Sequence, residues 1–200
     1  MDIKLLKQLV RQGEGEQLEF KLKANHPEKI VRELVALANT KGGILLLGVS
    51  DDGLLKGLKY AEDDEYIMER AIDKFCVPPL SYQLERLLIA PDTYILAYHI
   101  ATNPIAIHRF LESDGSKKVY YRVGEKSIKA SKTLSEILRR KKLNHDVQFR
   151  YGELERHFLQ LLELHPKVTL AQFANTASIS LKQASTLVTF MVLAGVVNIL

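Results

Sequence analysis

The sequence has a single cysteine, Cys76, no tryptophan and no long apolar run. One cysteine excludes an internal disulfide framework and a cysteine-based metal site, and it is typical of a protein from a reducing compartment. No apolar segment approaches the roughly 20 residues that a membrane helix needs, and the N-terminus lacks the apolar centre of a signal peptide. We therefore expect a cytoplasmic protein that is not inserted in a membrane.

Several catalytic signatures are also missing from the sequence. The chain has no G-x-x-x-x-G-K-[ST] loop, and residues 124–127 (GEKS) lack the spacing with which backbone N–H groups wrap phosphates. The six histidines show no H-E-x-x-H spacing, and no G-x-S-x-G elbow occurs. The sequence therefore gives no support to P-loop nucleotide hydrolysis, zinc-peptidase chemistry or a serine-hydrolase elbow.

The most strongly patterned part of the chain is residues 36–53, ALANTKGGILLLGVSDDG. The end of an amphipathic helix is followed by a break at Asn39 and the Gly42-Gly43 pair, then by the apolar residues 44–49 and a turn that ends at Gly53. A strand that is apolar on both faces must be covered on both faces, so we expect it to lie centrally in a sheet with helices around it. We interpret Asn39, Gly42, Gly43 and Gly53 as structural turn residues.

The remaining pattern predicts an α+β fold, in which a mixed β-sheet packed with helices is followed by a small all-helical domain. Before residue 145 the order is α-β-α-β-β-α-β-β-β-α, with the main strands at 17–23, 44–49, 54–58, 81–89, 93–101 and 118–123. Capping boxes at Thr133, Thr169 and Ser180 predict the starts of three helices. With a helix at 152–164 and a strand at 196–200, residues 150–200 are typical of a helix-turn-helix or winged-helix domain, and residues 1–145 make the other domain.

The positive charge of the chain is concentrated in one stretch. The formal net charge is only +4, but residues 117–142 hold ten Lys or Arg residues against Glu125 and Glu136. Residues 151–200 are neutral overall, so the whole excess belongs to residues 1–150. A concentration of this kind indicates a polyanion partner, and a solvated face is the alternative.

Four short motifs occur in the order in which one known family has them. They are Glu14-x4-Glu19-Phe20-Lys21, residues 37–57 with Asn39-Thr40-Lys41-Gly42-Gly43 at their start, Pro78-Pro79, and Tyr120-Tyr121-Arg122-Val123-Gly124 with Ala130-Ser131. Over roughly residues 10–140 the chain resembles the Schlafen AlbA-like domain, also called the divergent AAA domain. The resemblance implies a nucleic-acid-binding α/β domain, which in bacterial transcriptional regulators precedes a winged-helix module.

The charge and the resemblance together predict a nucleic-acid interface. We expect phosphate contacts from cations and base stacking from one of Tyr120 and Tyr121, which face opposite ways on a strand. For Arg122, a phosphate contact and a salt bridge to Glu14 or Glu19 are both open. The predicted interface residues are Lys21, Lys23, Lys117, Lys118, Tyr121, Arg122, Lys126, Lys129, Arg139 and Arg140.

The same resemblance raises a catalytic alternative. In ribonuclease members of the family, three acidic residues cluster with a divalent metal and cleave RNA. By motif, Glu14 and Glu19 correspond to the first two, and Asp51 or Asp52 is the candidate third, with Asp52 our choice. Under this alternative the carboxylates would hold Mg²⁺ or Mn²⁺; otherwise we predict no cofactor. Glu19 could instead pair with a nearby cation, and an Asp-Asp-Gly turn needs no function.

We therefore predict a nucleic-acid-binding protein that is a DNA-binding transcriptional regulator and forms a homodimer, with DNA favoured over RNA and binding favoured over catalysis. The alternatives are a metal-dependent ribonuclease and a tail that serves only self-association. The third helix of the tail offers Lys182 as its one cation, so dimerisation is as well supported as groove reading.

Overall fold

The computed structural model describes residues 1–143 and 151–199 of the chain. The chain divides into two compact units, Met1–Ala130 and Ser131–Leu200. The helices are α1 Ile3–Gln12, α2 Pro27–Asn39, α3 Ala61–Phe75, α4 Lys132–Lys142, α5 Glu153–Leu164, α6 Leu170–Thr176 and α7 Leu181–Leu193. The strands are β1 Leu18–Lys21, β2 Gly43–Leu47, β3 Cys76–Val77, β4 Tyr82–Ala90, β5 Thr93–Ile100, β6 Arg109–Leu111, β7 Lys117–Lys118, β8 Tyr120–Val123 and β9 Lys126–Lys129. Among the described residues, none of these helices is both long and apolar enough to span a membrane.

The first unit is built on a four-stranded sheet in the order β1-β2-β5-β4. β1 and β2 are parallel and are connected through α2, whereas β2–β5 and β5–β4 are antiparallel. The hairpin predicted from residues 81–101 is present as β4 and β5. The sheet is therefore mixed and carries helices, and the predicted α+β class is confirmed.

β2 is buried in the middle of this sheet, as its unbroken apolar sequence predicts. Leu45 and Leu47 belong to the larger core cluster, which includes buried residues of α2 and α3. Leu46 belongs to a second cluster with Leu6 of α1 and Phe20 of β1. Alternate residues of the strand thus enter cores on opposite faces of the sheet, and helices remove both sets from water.

Two smaller strand groups complete the first unit. β3, β6 and β7 form a three-stranded sheet, and β8 and β9 form a hairpin of which β8 lies against α2. The predicted strand at 118–123 is interrupted at the buried Val119 and forms β7 and β8. β3, β6 and β9 are missing from the sequence prediction. β3 and β6 have two and three residues, too few to show an alternating pattern, and β9 has Ile128 as its one apolar residue.

The predicted strand at 54–58 does not form. This segment makes two isolated bridges instead, from Val49 to Leu55 and from Leu58 to Tyr94. Gly57, with φ of +68°, interrupts the extended conformation between the bridges. The loop is therefore attached to β5 through the buried Leu58, and residues 54–58 form no regular strand.

In the second unit, α5, α6 and α7 surround a small core of buried side chains that includes Phe158, Phe173 and Met191. The capping boxes at Thr169 and Ser180 are confirmed. Each hydroxyl accepts the N–H of the glutamine three residues later, and the glutamine side chain accepts the N–H of the capping residue. These local signals fix the starts of α6 and α7.

α4 belongs to the second unit and packs against α7. The prediction of a capping box at Thr133 is wrong, because the hydroxyl of Ser131 caps the helix by accepting the N–H of Leu134 at 3.1 Å. Thr133 Oγ1 lies 2.6 Å from Ser185 Oγ on α7 instead. The basic helix that the sequence pattern attaches to residues 1–145 therefore packs with the C-terminal helices; the predicted boundary between 145 and 150 lies outside the described residues.

The predicted C-terminal strand is absent from residues 196–199, and Leu200 lies outside the described residues. In the part of the tail that the structure describes, the helix-turn-helix elements are present without a β-wing. The coarser prediction of a small helical domain agrees with the structure.

The turn after α2 gives a test of the fold. At Gly42, φ is +71° and an added Cβ would lie 2.5 Å from the carbonyl oxygen of Ile100. Gly115 has nearly the same φ, +78°, but an added Cβ there meets nothing within 4 Å. Both Gly→Ala changes incur the left-handed strain of about 1–2 kcal/mol, and only Gly42→Ala adds a steric overlap of about 1–3 kcal/mol.

We expect Gly42→Ala to lower the free energy of unfolding by about 1–3 kcal/mol more than Gly115→Ala does. Urea denaturation followed by tyrosine fluorescence measures this difference, because seven of the eight tyrosines lie in Met1–Ala130. Equal losses for the two variants would show that the turn after α2 has room to relax.

Candidate nucleic-acid interface

Arg122 is a buried cation in the first unit, and its side chain has no exposed surface. Nη1 donates to the carboxylates of Glu19 on β1 and Glu33 on α2 at 2.6 and 2.9 Å. Nη2 donates to the carbonyl oxygen of Gly15. Of the two alternatives open for Arg122, the structure has the ion pair to Glu19. This corrects the assignment of Arg122 to phosphate binding, because a guanidinium without exposed surface cannot reach a ligand in solution.

Asn39 fixes the backbone that carries Arg122. Its buried side-chain amide donates to the carbonyl oxygens of His108 and Tyr120 at 2.8 and 2.9 Å, and its carbonyl oxygen accepts the N–H of His108 at 2.8 Å. The next residue, Thr40, accepts the N–H of Arg122 at 2.9 Å. Asn39, which we interpreted as a turn residue, is the last residue of α2 and joins that helix to β8.

The four motifs of the sequence meet around these two residues. Gly15 and Glu19 come from the first motif, Asn39 and Thr40 from the second, and Arg122 from the fourth. The third enters through Pro78, whose carbonyl oxygen lies 3.0 Å from His108 Nδ1. The motifs therefore build one hydrogen-bonded centre, and the charge at that centre is internally balanced.

Glu33 and Ser127 are partners of Arg122 that the sequence analysis misses. Glu33 lies on the half-exposed side of α2, and Ser127 lies on β9 opposite Arg122 in the β8–β9 pairing. The Ser127 hydroxyl donates to the same Glu33 oxygen that accepts from Arg122. The sequence gives no signal for this pairing, because Glu33 is one of several charged residues in the first half of α2 and its partner lies 89 residues away.

The three acidic residues of the nuclease alternative lie in different settings. Glu19 Oε1 accepts from Lys21 Nζ while Oε2 accepts from Arg122, so both of its oxygens are bonded to cations. Glu14 accepts the N–H of Phe20 at 2.8 Å. Partial burial raises the pKa of Glu14, an effect that the Phe20 N–H opposes and the nearby charge of Glu19 increases.

Asp52 is exposed in the turn after β2 and accepts from the hydroxyl of Ser50, which lowers the pKa of Asp52. Within residues 1–143 and 151–199, no three His, Cys, Asp or Glu side chains are grouped so that they could hold a metal ion. Glu14, Glu19 and Asp52 therefore do not form a ligand set for Mg²⁺ or Mn²⁺ in this structure, and neither does Asp51 with the two glutamates. Their catalytic assignment stays a prediction.

The predicted cations fall into two classes. Lys21 is bonded to Glu19, and Arg139 and Arg140 both contact Glu136, at 2.8 and 2.6 Å, which lowers the pKa of Glu136 to about 2. A second class makes no ion pair with any carboxylate of the described residues. Its members are Lys23, Lys117, Lys118, Lys126 and Lys129.

The two tyrosines of β8 face opposite ways, as predicted. Tyr120 packs edge-on against Phe110, and its hydroxyl donates to Glu112 at 3.0 Å. Burial raises the pKa of Tyr120, and the bond to Glu112 adds to the increase. Tyr121 is half-buried on the other face of the hairpin, where Ile128 pairs with it across the strands. Tyr121 is thus the tyrosine available for stacking.

The formal charge is distributed unevenly between the units. Residues 1–130 hold 19 Lys or Arg and 19 Asp or Glu, so the first unit is neutral overall. α4 alone holds five Lys or Arg residues against Glu136, a net charge of +4. The basic stretch at 117–142 is therefore divided between two units. The first unit has no excess of positive charge, so its candidate anion-binding surface is identified by the lysines that make no ion pair.

A family model described as "Schlafen, AlbA_2" matches residues 14–131 of the chain, which is more than half of its length. The match contains all four motifs and ends at Ser131, the residue that caps α4. It does not extend to the helices of the tail. No curated protein matches the chain. The family suggests nucleic-acid binding.

The buried ion pair gives a test of this centre. Glu19→Ala leaves the guanidinium of Arg122 with Glu33 as its one carboxylate partner, and we expect a loss of about 3 kcal/mol in the free energy of unfolding. The matched control is Glu16→Ala, which removes an exposed ion pair of 2.6 Å with Lys41 and should cost less than about 1 kcal/mol. Urea denaturation followed by tyrosine fluorescence compares the two, and similar losses would contradict a central role for Arg122.

Proposed function

The chain belongs to the Schlafen AlbA_2 family, and from this premise we propose that it is a nucleic-acid-binding protein whose target is DNA and whose role is transcriptional regulation. The observation that carries the proposal is the set of unpaired lysines on β7 and β9. Lys117, Lys118, Lys126 and Lys129 lie within 13 residues of one another and make no ion pair with a carboxylate of the described residues. Unpaired lysines can exchange their counterions for phosphates at little cost.

The hairpin that carries two of these lysines is held in a fixed position. Arg122 on β8 is bonded to Glu19 and Glu33, and its N–H is bonded to Thr40. Because β8 and β9 pair in one register, Lys126 lies on the same face of the hairpin as Tyr121, whereas Lys129 lies opposite Tyr120 on the other face. A rigid cationic strand beside an aromatic ring is a suitable platform for a sugar-phosphate chain.

The second unit supports the proposal by itself. Lys132 and Arg139 of α4 are exposed and, at seven residues apart, lie on the same side of the helix. Arg140 lies with its guanidinium 5.2 Å from the ring centre of Phe190 on α7, which attaches α4 to the tail. Arg139 donates two hydrogen bonds to Glu136, so a phosphate contact from Arg139 requires this pair to open, whereas Lys132 makes no ion pair with a carboxylate of the described residues.

The target and role rest on the two helices of the tail. α6 and α7 are joined by a tight turn in which Ser178 has φ of +54°, as in a helix-turn-helix. Lys182, Gln183 and Thr186 are exposed near the start of α7, the part of a recognition helix that contacts base edges. Exposed apolar residues, among them Leu181 and Ile199, support self-association as a homodimer.

The other functions that the sequence allowed have less support. For the ribonuclease, the described residues contain no group of three or more His, Cys, Asp or Glu side chains that could hold the metal. For a tail that serves only self-association, the exposed apolar residues fit this role as well as they fit a DNA-binding dimer, and a change in α7 distinguishes the two.

Neutralising two unpaired lysines tests the proposal. We expect Lys126→Gln/Lys129→Gln to weaken binding of a fluorescent DNA duplex and to reduce the slope of log K against log salt by about 2, because each phosphate contact contributes about 0.9. The matched control, Lys4→Gln/Lys7→Gln on α1, removes the same charge from exposed positions outside the proposed surface. Fluorescence anisotropy across a salt series gives both slopes. If the two variants behave alike, the surface is not the site of binding.

A change in α7 tests the role of the tail. We expect Lys182→Glu to weaken binding of duplex DNA more than binding of an RNA of equal length, while the mass in sedimentation equilibrium stays the same. The physical reason is that a carboxylate at the start of a groove-reading helix opposes the phosphates on both sides of the groove. Unchanged DNA affinity would favour a tail that serves self-association.

A further inference from the structure

The first unit contains a cavity of about 340 Å³ that no predicted interface residue except Lys23 lines. Its wall is formed by the segment after β1, the loop between β2 and α3, the first turn of α3 and the start of β5. The residues that matter to its chemistry are Lys23, Lys56, Lys59, Tyr60 and Asp64. Its volume falls in the range of about 300–1,000 Å³ in which small-molecule sites are found.

The cavity is positively charged. Lys23, Lys56 and Lys59 are exposed and make no ion pair with a carboxylate of residues 1–143 or 151–199. Its wall has one acidic residue, Asp64, which accepts the N–H of Ala24 at 2.8 Å, so three ammonium groups stand against one carboxylate and the formal charge of the wall is +2. Three ammonium groups around one concavity repel one another unless an anion lies between them, and phosphate is the anion that lysines commonly bind.

The loop that presents Lys56 and Lys59 is fixed to the sheet. Leu58, between them, is buried and exchanges two backbone hydrogen bonds with Tyr94 on β5, at 2.7 and 2.9 Å. The N–H groups of Lys56 and Gly57 both donate to the carbonyl oxygen of Gly48, at 3.0 and 2.8 Å. Lys56 and Lys59 therefore project from a backbone that is fixed at Leu58, between them. A fixed backbone reduces the conformational entropy lost when a ligand binds.

Gly57 keeps this loop close to β5. Its φ is +68°, and an added Cβ would lie 2.3 Å from Cγ2 of Thr93, which also lines the cavity. A residue with a side chain would push the loop away from β5. The shape of the cavity thus depends on a close approach that glycine alone permits.

Tyr60 gives the cavity an aromatic wall. Tyr60 occupies the N-cap position of α3 and is 75% exposed, and its side chain makes no capping hydrogen bond to the helix. It belongs to neither core cluster of the first unit. An exposed aromatic ring beside unpaired lysines is the combination with which proteins bind single strands, because unpaired bases stack on the ring while cations follow the phosphates.

We propose that this cavity binds a single-stranded segment of nucleic acid, with a phosphate between Lys23, Lys56 and Lys59 and the adjoining base stacked on Tyr60. The inference rests on the proposed nucleic-acid binding and adds the strandedness of one subsite. A duplex does not fit this chemistry, because its bases are stacked on each other and offer no free face to Tyr60.

The experiment uses the full chain and a fluorescent 12-nucleotide single strand of DNA, with the matching 12-base-pair duplex measured beside it. We expect Tyr60→Ala to weaken single-strand binding by about fivefold or more, with Tyr60→Phe close to the unchanged protein. Duplex binding should not change. The matched control is Tyr66→Ala on α3, which removes another exposed tyrosine, 63% exposed, that does not line the cavity.

A salt series on Lys56→Gln/Lys59→Gln tests the phosphate contact. We expect the slope of log K against log salt for the single strand to fall by about 0.7 for each contact removed, with Lys4→Gln/Lys7→Gln unchanged. Circular dichroism confirms the fold of each variant, and all the substituted side chains are exposed.

The outcomes separate this inference from the proposed function. Failure of the unchanged protein to bind any strand or duplex overturns both. Binding by the unchanged protein that Tyr60→Ala and Lys56→Gln/Lys59→Gln leave intact overturns the cavity inference alone. Competition by thymidine monophosphate at the concentration at which the 12-nucleotide strand competes would identify a site for free nucleotides and also overturn it.

Discussion

The buried guanidinium of Arg122 imposes the constraint on which the first unit depends. A cation removed from water is stable only when carboxylates and hydrogen-bond acceptors surround it, and here Glu19, Glu33 and the carbonyl oxygen of Gly15 do so. These groups come from β1, from α2 and from the turn before β1, up to 107 residues away in the chain. Asn39 acts in the same way with uncharged groups, because each of its buried polar atoms must also find a partner. The β8–β9 hairpin is placed by these bonds rather than by membership of the main sheet.

This centre also determines which charges remain for a ligand. The carboxylates nearest to it are bonded to Arg122 and Lys21, so they balance cations of the protein itself. No such partner exists among the described residues for the lysines on β7 and β9, or for those that line the cavity with Tyr60. A unit with equal numbers of acidic and basic residues can still present cationic surfaces, because the two signs are unevenly distributed: acidic residues are concentrated at the start of α3, whereas β7 and β9 hold lysines and no acidic residue. The distribution of partners, and not the net charge, is the relevant quantity.

Much of the fold follows from patterns that act over a few residues. The apolar run of β2, the hairpin of β4 and β5, and the capping boxes at Thr169 and Ser180 all lie where the sequence predicts them. The sequence does not predict β3 and β6, because two or three residues carry no detectable period, or β9, because it has a single apolar residue. The segment at 54–58 has three leucines but makes only single bridges, since Gly57 breaks the extended backbone. Thr133 matches a capping box, yet Ser131 takes that role and leaves Thr133 free to contact α7.

The sequence by itself determined the fold class, the family motifs and the surplus of positive charge, because hydrophobic period, glycine positions and composition are properties of neighbouring residues. It could not decide what each charged side chain does. Arg122 and Lys126 lie four residues apart in one basic stretch, yet the first is an internal counter-ion and the second is exposed on β9. α4 likewise carries its charge into the second unit. Only the tertiary structure made these distinctions, since the energy of an ion pair depends on distance and burial in space and not on separation along the chain.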